Sequence, residues 1–160
     1  MNRKSENLIQ NGRFENKNLD NWTTDIDVLK FKSVKNPPGA FSLYMPTDTY
    51  LEQKIFQSLP AEEFKLEWGC KARIDSRAHM GSILILLVYV FRGESNDPHI
   101  ASSAFNLSDD WVSFNYEHLA VYPADVREIY LQIHNANWAS HGNAFNAPVQ
   151  VTDIEMAVLI

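Results

Sequence analysis

Tyr130, Gln132 and His134 alternate with Ile129, Leu131 and Ile133 in the run Glu128–His134. In an extended chain, alternate residues share a face, so the three polar side chains line up together. Arg73 has the same place in the alternation of Phe64–Ile74, beside Lys71. A sugar ring offers apolar C–H faces and paired hydroxyls. Tyr and Trp rings match the first, and planar Arg, Gln, Asn and His groups match the second. Beyond His134 lies a polar loop in which Asn135, Asn137, His141 and Asn143 surround Trp138. Tyr44, Tyr50 and Tyr89 are placed to join the rim. The candidate ligand-binding residues are therefore Arg73, Tyr89, Tyr130, Gln132, His134, Asn137 and Trp138. The plainer alternative is a polar face turned to water, and it suits Lys65, Glu67 and Lys71 better.

Two acids form a second constellation. Glu15 follows the turn dipeptide Asn11-Gly12 and Phe14, while Asp153 interrupts the apolar final run Val149–Leu159. If the first and last segments run side by side, these carboxylates meet, and like charges repel unless a cation lies between them. Calcium takes oxygen ligands, including the backbone carbonyls that an irregular loop supplies. Arg13 is the competing cation, since a neighbouring guanidinium can replace the ion. In the plain alternative, Glu15 caps turn amides and Asp153 faces solvent.

The elements that must position these groups read as strands. Candidates are Ile26–Lys32, a hairpin of Ala40–Met45 with Tyr50–Phe56, then Phe64–Ile74, Ile83–Arg92, Ala101–Leu107, Val112–Leu119, Glu128–His134 and Val149–Leu159. Pro, Gly, Asn and Asp clusters separate them, as between the short strands of a sandwich or barrel. Within Phe64–Ile74, Phe64, Leu66, Trp68, Cys70, Ala72 and Ile74 share the inward face. Ile83–Phe91 is apolar throughout and reads as a strand covered on both faces. Helical periodicity is weak, with single turns expected at most over Ala61–Phe64 or Pro123–Arg127. Trp22, Trp68 and Trp111 are assigned to the core or its edges. The predicted fold is all-β: one two-sheet antiparallel β-sandwich over residues 1–160, its termini adjacent and residues 1–6 frayed.

The N-terminal Asn-Leu-Ile-x-Asn-Gly-x-Phe-Glu of Asn7–Glu15, its polar loop and Trp22, together with Asp153 in the last strand, resemble the jelly-roll carbohydrate-binding modules of the galactose-binding-like superfamily. The resemblance implies a carbohydrate partner and a structural calcium at Glu15 and Asp153. It also implies an extracellular location, or one on a cell, spore or particle surface. Such a sandwich can alternatively serve as a sugar-free assembly module forming homo-oligomers. Gln132-Ile133-His134 is similar to the Gln-Ile-His strand of jelly-roll alginate lyases, in which Gln neutralises a uronate and His and Tyr transfer protons. The arginine-rich and tyrosine-lysine strands of that family are missing here, so a non-catalytic module is expected.

At 160 residues the chain suffices for one domain burying roughly 70% of its unfolded surface. A formal charge of −6 without a basic cluster argues against nucleic acid or an anionic membrane as partner. The single cysteine, Cys70, excludes an internal disulfide and reads as a buried, inert thiol. The N-terminus lacks the apolar segment of a secretory signal.

Overall fold

The structure, a computed structural model, describes residues 3–75, 82–135 and 147–160. These residues form ten strands and no helix. The strands are β1 (Thr23–Thr24), β2 (Phe31–Ser33), β3 (Phe41–Met45), β4 (Thr49–Lys54), β5 (Lys65–Ile74), β6 (Ser82–Arg92), β7 (His99–Leu107), β8 (Val112–Glu117), β9 (Val126–Asn135) and β10 (Val149–Leu159). They make two five-stranded sheets. Sheet I has the order β1-β4-β9-β6-β7 and sheet II the order β2-β3-β10-β5-β8, with every pairing antiparallel.

The alternation read in the sequence sets which side chains enter the core. Leu66, Trp68, Cys70, Ala72 and Ile74 of β5 are buried, as are Ile129, Leu131 and Ile133 of β9. The Trp68 ring lies wholly inside and donates Nε1–H to Ser103 Oγ of the facing sheet at 2.9 Å, so its one polar atom is satisfied. Burial pushes the Cys70 thiol up to about 12, which keeps it protonated and unreactive.

The N-terminal segment runs along β10. Arg3 N donates to Ile160 O, Ser5 N to Val158 O at 2.9 Å, and Leu8 N to Met156 O at 2.8 Å. Residues 3–6 are thus tied down rather than frayed, and the expected adjacency of the termini holds. Gln53 clamps the same segment with two reciprocal bonds to the Gln10 backbone, each 2.8 Å.

Two expectations are corrected. Ala40–Met45 and Tyr50–Phe56 are not a hairpin, because β3 belongs to sheet II and β4 to sheet I. Asn135 holds the connection where it crosses between the sheets. Its buried Nδ2 donates to Met45 O, Pro46 O and Ala147 O at 3.0–3.2 Å, and its backbone carbonyl accepts Asp48 N–H at 2.6 Å. The Pro46–Asp48 turn is therefore held at the end of β9 instead of folding β4 back on β3. Asn135 is a buried pin, not part of an exposed polar loop. The second correction concerns β6, which is covered on its inner face only. Ile83, Ile85, Leu87, Tyr89 and Phe91 remain half-exposed on the outer one.

Candidate functional site

The outer face of sheet I carries most of the predicted ligand-binding residues in three cross-strand rows. Tyr50 of β4, His134 of β9 and Ile85 of β6 lie opposite one another, as do Glu52, Gln132 and Leu87, and then Lys54, Tyr130 and Tyr89. On β7, Ala104, Ser102 and Ile100 extend the three rows. Directly opposed residues on one face stand roughly 5 Å apart, so each row is a continuous surface. Polar groups occupy the β4–β9 side, with apolar and aromatic groups on the β9–β6 side.

The polar side is ordered by a directional chain. Gln132 Nε2 donates to Glu52 Oε2 at 2.6 Å, and His134 Nε2 lies 2.8 Å from Gln132 Oε1. An ionised carboxylate only accepts, so the amide must present its NH2 to Glu52 and its oxygen to the imidazole. His134 is then the Nε2–H tautomer. Its ring stacks on Tyr50, with centroids 5.7 Å apart and planes at 26°. Tyr130 meets Phe91 in a T-shaped contact at 5.8 Å, and Lys54 Nζ lies 5.9 Å over its ring while pairing with Glu128 at 3.2 Å. Tyr130 and Tyr89, both half-exposed, form an aromatic platform beside the hydrogen-bonding chain.

Arg73 does not join this face. It lies on β5 of sheet II, where its guanidinium stands 6.0 Å from the Trp111 ring centroid and its Nε–H reaches Ile74 O at 3.3 Å. Shared alternation gives the face of a strand but not which sheet the strand enters. Tyr44 is on sheet II as well, in the row Tyr44–Gln150–Arg73. Asn137 and Trp138 lie outside the described residues. The sequence reading missed Glu52, Ile85 and Leu87. Tyr50–Lys54 alternates, and assigning β4 beside β9 would have found Glu52. The apolar outer residues of β6 were hidden by a pattern that equally fits two buried faces.

Glu15 and Asp153 both lie where the N-terminal loop meets β10. Asp153 sits at an irregularity of the β10–β5 pairing, with φ 50, and its Oδ1 accepts from Arg13 Nε at 2.8 Å. Glu15 is exposed, and its charge acts on the same guanidinium. Within the loop, Asn11 Nδ2 is the group facing oxygens: Asn18 O and Asp20 O at 3.1 Å and Asn18 Oδ1 at 3.3 Å. Among the described residues no three His, Cys, Asp or Glu side chains gather as a metal-binding group. An oxygen-liganded cation needs acceptors turned toward it. Here Arg13 and Asn11 present donors instead, so the residues as arranged do not fit the calcium that the resemblance implies.

A third cluster lies where β7 and β8 begin and end. His118 packs among Trp68, Tyr116, Tyr122 and His99 at centroid distances of 5.7–6.0 Å, and neither of its ring nitrogens has a hydrogen-bond partner among the described residues. Burial, then the neighbouring His99, hold the His118 pKa below its usual 6.5. Burial also lowers that of His134, against the opposing pull of Asp25 and Glu52. A folded pKa below the unfolded one means that the unfolded chain binds more protons around and below pH 6.5. Stability is therefore full above that pH and is lost as acid is added through the folded values. Thermal unfolding is expected to show a falling Tm between pH 7 and pH 5, with a smaller fall in His118→Phe. A flat or rising profile would contradict this.

No protein-family model matches the chain, and no curated protein matches it by sequence. Solved structures share its fold. A CBM61 module crystallised with β-1,4-galactotriose superposes with a TM-score of 0.60 at 16% identity, over 95% of this chain and 98% of that one. The CBM22-1 xylan-binding domain from Paenibacillus barcinonensis gives 0.59 at 13% identity, covering 92% and 91%. The enzymatically active domain of bacteriophage CBA120 tailspike protein 4 gives 0.62 at 16% identity, but the match spans 95% of this chain and only 21% of that one. At such identities the likeness establishes the fold, a jelly-roll sandwich of the kind used by carbohydrate-binding modules.

Proposed function

We propose that this chain is a non-catalytic carbohydrate-binding module whose glycan lies across the outer face of sheet I. One observation carries the reading: the ordered chain Glu52–Gln132–His134 runs beside the Tyr130–Tyr89 platform and the Ile85–Leu87 stripe. A sugar needs both surfaces at once, since its hydroxyls bridge planar acceptors and donors while its C–H face covers apolar area. Full-length likeness to modules crystallised with galactotriose or described as xylan-binding supports a glycan over other small ligands.

The lyase alternative is weakened by the same hydrogen bonds. In that chemistry the Gln amide would meet a uronate, whereas Gln132 gives its NH2 to Glu52, and a second carboxylate beside Glu52 would be repelled. The preferred ligand is accordingly an uncharged glycan. Affinity electrophoresis through galactan, xylan, β-glucan, mannan and alginate tests the proposal. Retardation by at least one neutral polysaccharide is expected, without the ultraviolet absorbance of unsaturated products from alginate. Unhindered migration through every gel, or such products, would overturn the reading.

A further inference from the structure

Arg13 is paired with one carboxylate, that of Asp153, at 2.8 Å. Its Nε–H bonds Asp153, and the charges of Asp153, Glu155 and Glu15 all favour its cationic form. The root of the side chain is fixed on both sides. Arg13 O accepts Phe41 N–H at 2.8 Å, and Gly12 O accepts Ile154 N–H at 3.1 Å. Thr152 Oγ, one residue before Asp153, donates to Phe41 O at 2.7 Å. The guanidinium is thus held by its own backbone against the bulge that presents Asp153, instead of reaching there from a distant loop. A guanidinium offers a planar fork of donors and one fixed positive charge to a carboxylate, and as part of the chain it cannot dissociate.

We infer that Arg13 is the chain's resident counter-ion for Asp153, held at the bulge of the last strand, filling the role that a bound calcium would otherwise have at this junction. Two consequences follow, both independent of the glycan reading. The folded protein is indifferent to divalent metal, and removal of the guanidinium leaves a carboxylate that accepts a cation.

Thermal unfolding after exhaustive chelation, with and without millimolar calcium chloride, tests this on the intact chain. For the native sequence the expected change on adding calcium is under about 1 °C, as for a protein with no differential affinity. Arg13→Ser is expected to unfold several degrees lower in chelator and to recover by roughly 3 °C or more in calcium. The Arg13 side chain is about half-exposed, so this variant retains the fold. Arg13→Ser combined with Asp153→Asn is expected to lose the calcium response, which would tie the site to that carboxylate. A gain of several degrees by the native chain in calcium would overturn the inference. So would an Arg13→Ser variant that ignores calcium, or a double variant that still responds to it.

Discussion

Gly12→Ala is expected to lower stability by about 3 kcal/mol, a Tm loss of roughly 10 °C for a domain of this size. A Cβ at this position would stand 2.3 Å from Ile154 O, 3.2 Å from Ile154 C and 3.3 Å from Ile154 N. All three are backbone atoms of β10, so no side chain can swing away. Relief requires the N-terminal segment to lift, stretching the Ile154 N–H···O Gly12 bond. It also shifts Phe14, whose wholly buried ring packs against Trp22 and Phe31 at 6.3 and 5.9 Å. Gly39 is the control. An added Cβ there meets nothing within 4 Å, and only its φ of +83 penalises alanine, by about 1 kcal/mol. Chemical denaturation of both variants separates the effects. Equal small losses would show that the junction at β10 is looser than described.

Tyr130→Ala is expected to weaken glycan binding at least tenfold, a loss of about 1.4 kcal/mol or more. The ring is the centre of the aromatic platform, in T-shaped contact with Phe91 and lying opposite Tyr89 and Lys54. It contributes apolar area that no neighbour can replace without moving a strand. Its outer face is half-exposed, so the thermal cost should be small beside that of a core truncation. Arg73→Ala is the matched control, because Arg73 faces outward from the opposite sheet. Its affinity should stay within about twofold of the native chain. If the two variants exchange these behaviours, the binding face lies on sheet II.

Much of the fold was legible because two-residue alternation is a strong signal. β5 and β9 were read with the correct inward residues, since each buries one face against the other sheet, whereas β10 is buried along most of its length and offers no such alternation. The dipeptide Asn11-Gly12 was also informative, though for a different reason than turn chemistry suggests. Asn11 takes the positive φ, 54°, while Gly12 is needed for its missing Cβ. Pairing was not legible. β3 and β4 enter different sheets, and the turn between them is gripped by the side chain of Asn135, some ninety positions away, a partner that no local pattern reveals.

The candidate site was half legible for the same cause. Tyr130, Gln132 and His134 share one strand, so their company followed from spacing alone. Arg73 was grouped with them by type and alternation, and strand order separates it. Glu52, which fixes the orientation of Gln132, was unremarked because its importance exists only through the β4–β9 register. Arg13 was visible as a competitor for the metal position, but its link to Asp153 spans nearly the whole chain.

The most direct test of the binding face is amide and methyl chemical-shift mapping of the labelled chain titrated with the best-retained neutral glycan. Perturbations should concentrate on Tyr50–Lys54, Ile85–Tyr89 and Tyr130–His134, leaving Arg73, Trp111 and the Arg13 junction unmoved. Shifts centred on the outer face of sheet II or on the N-terminal loop, with β4, β6 and β9 silent, would contradict the assignment.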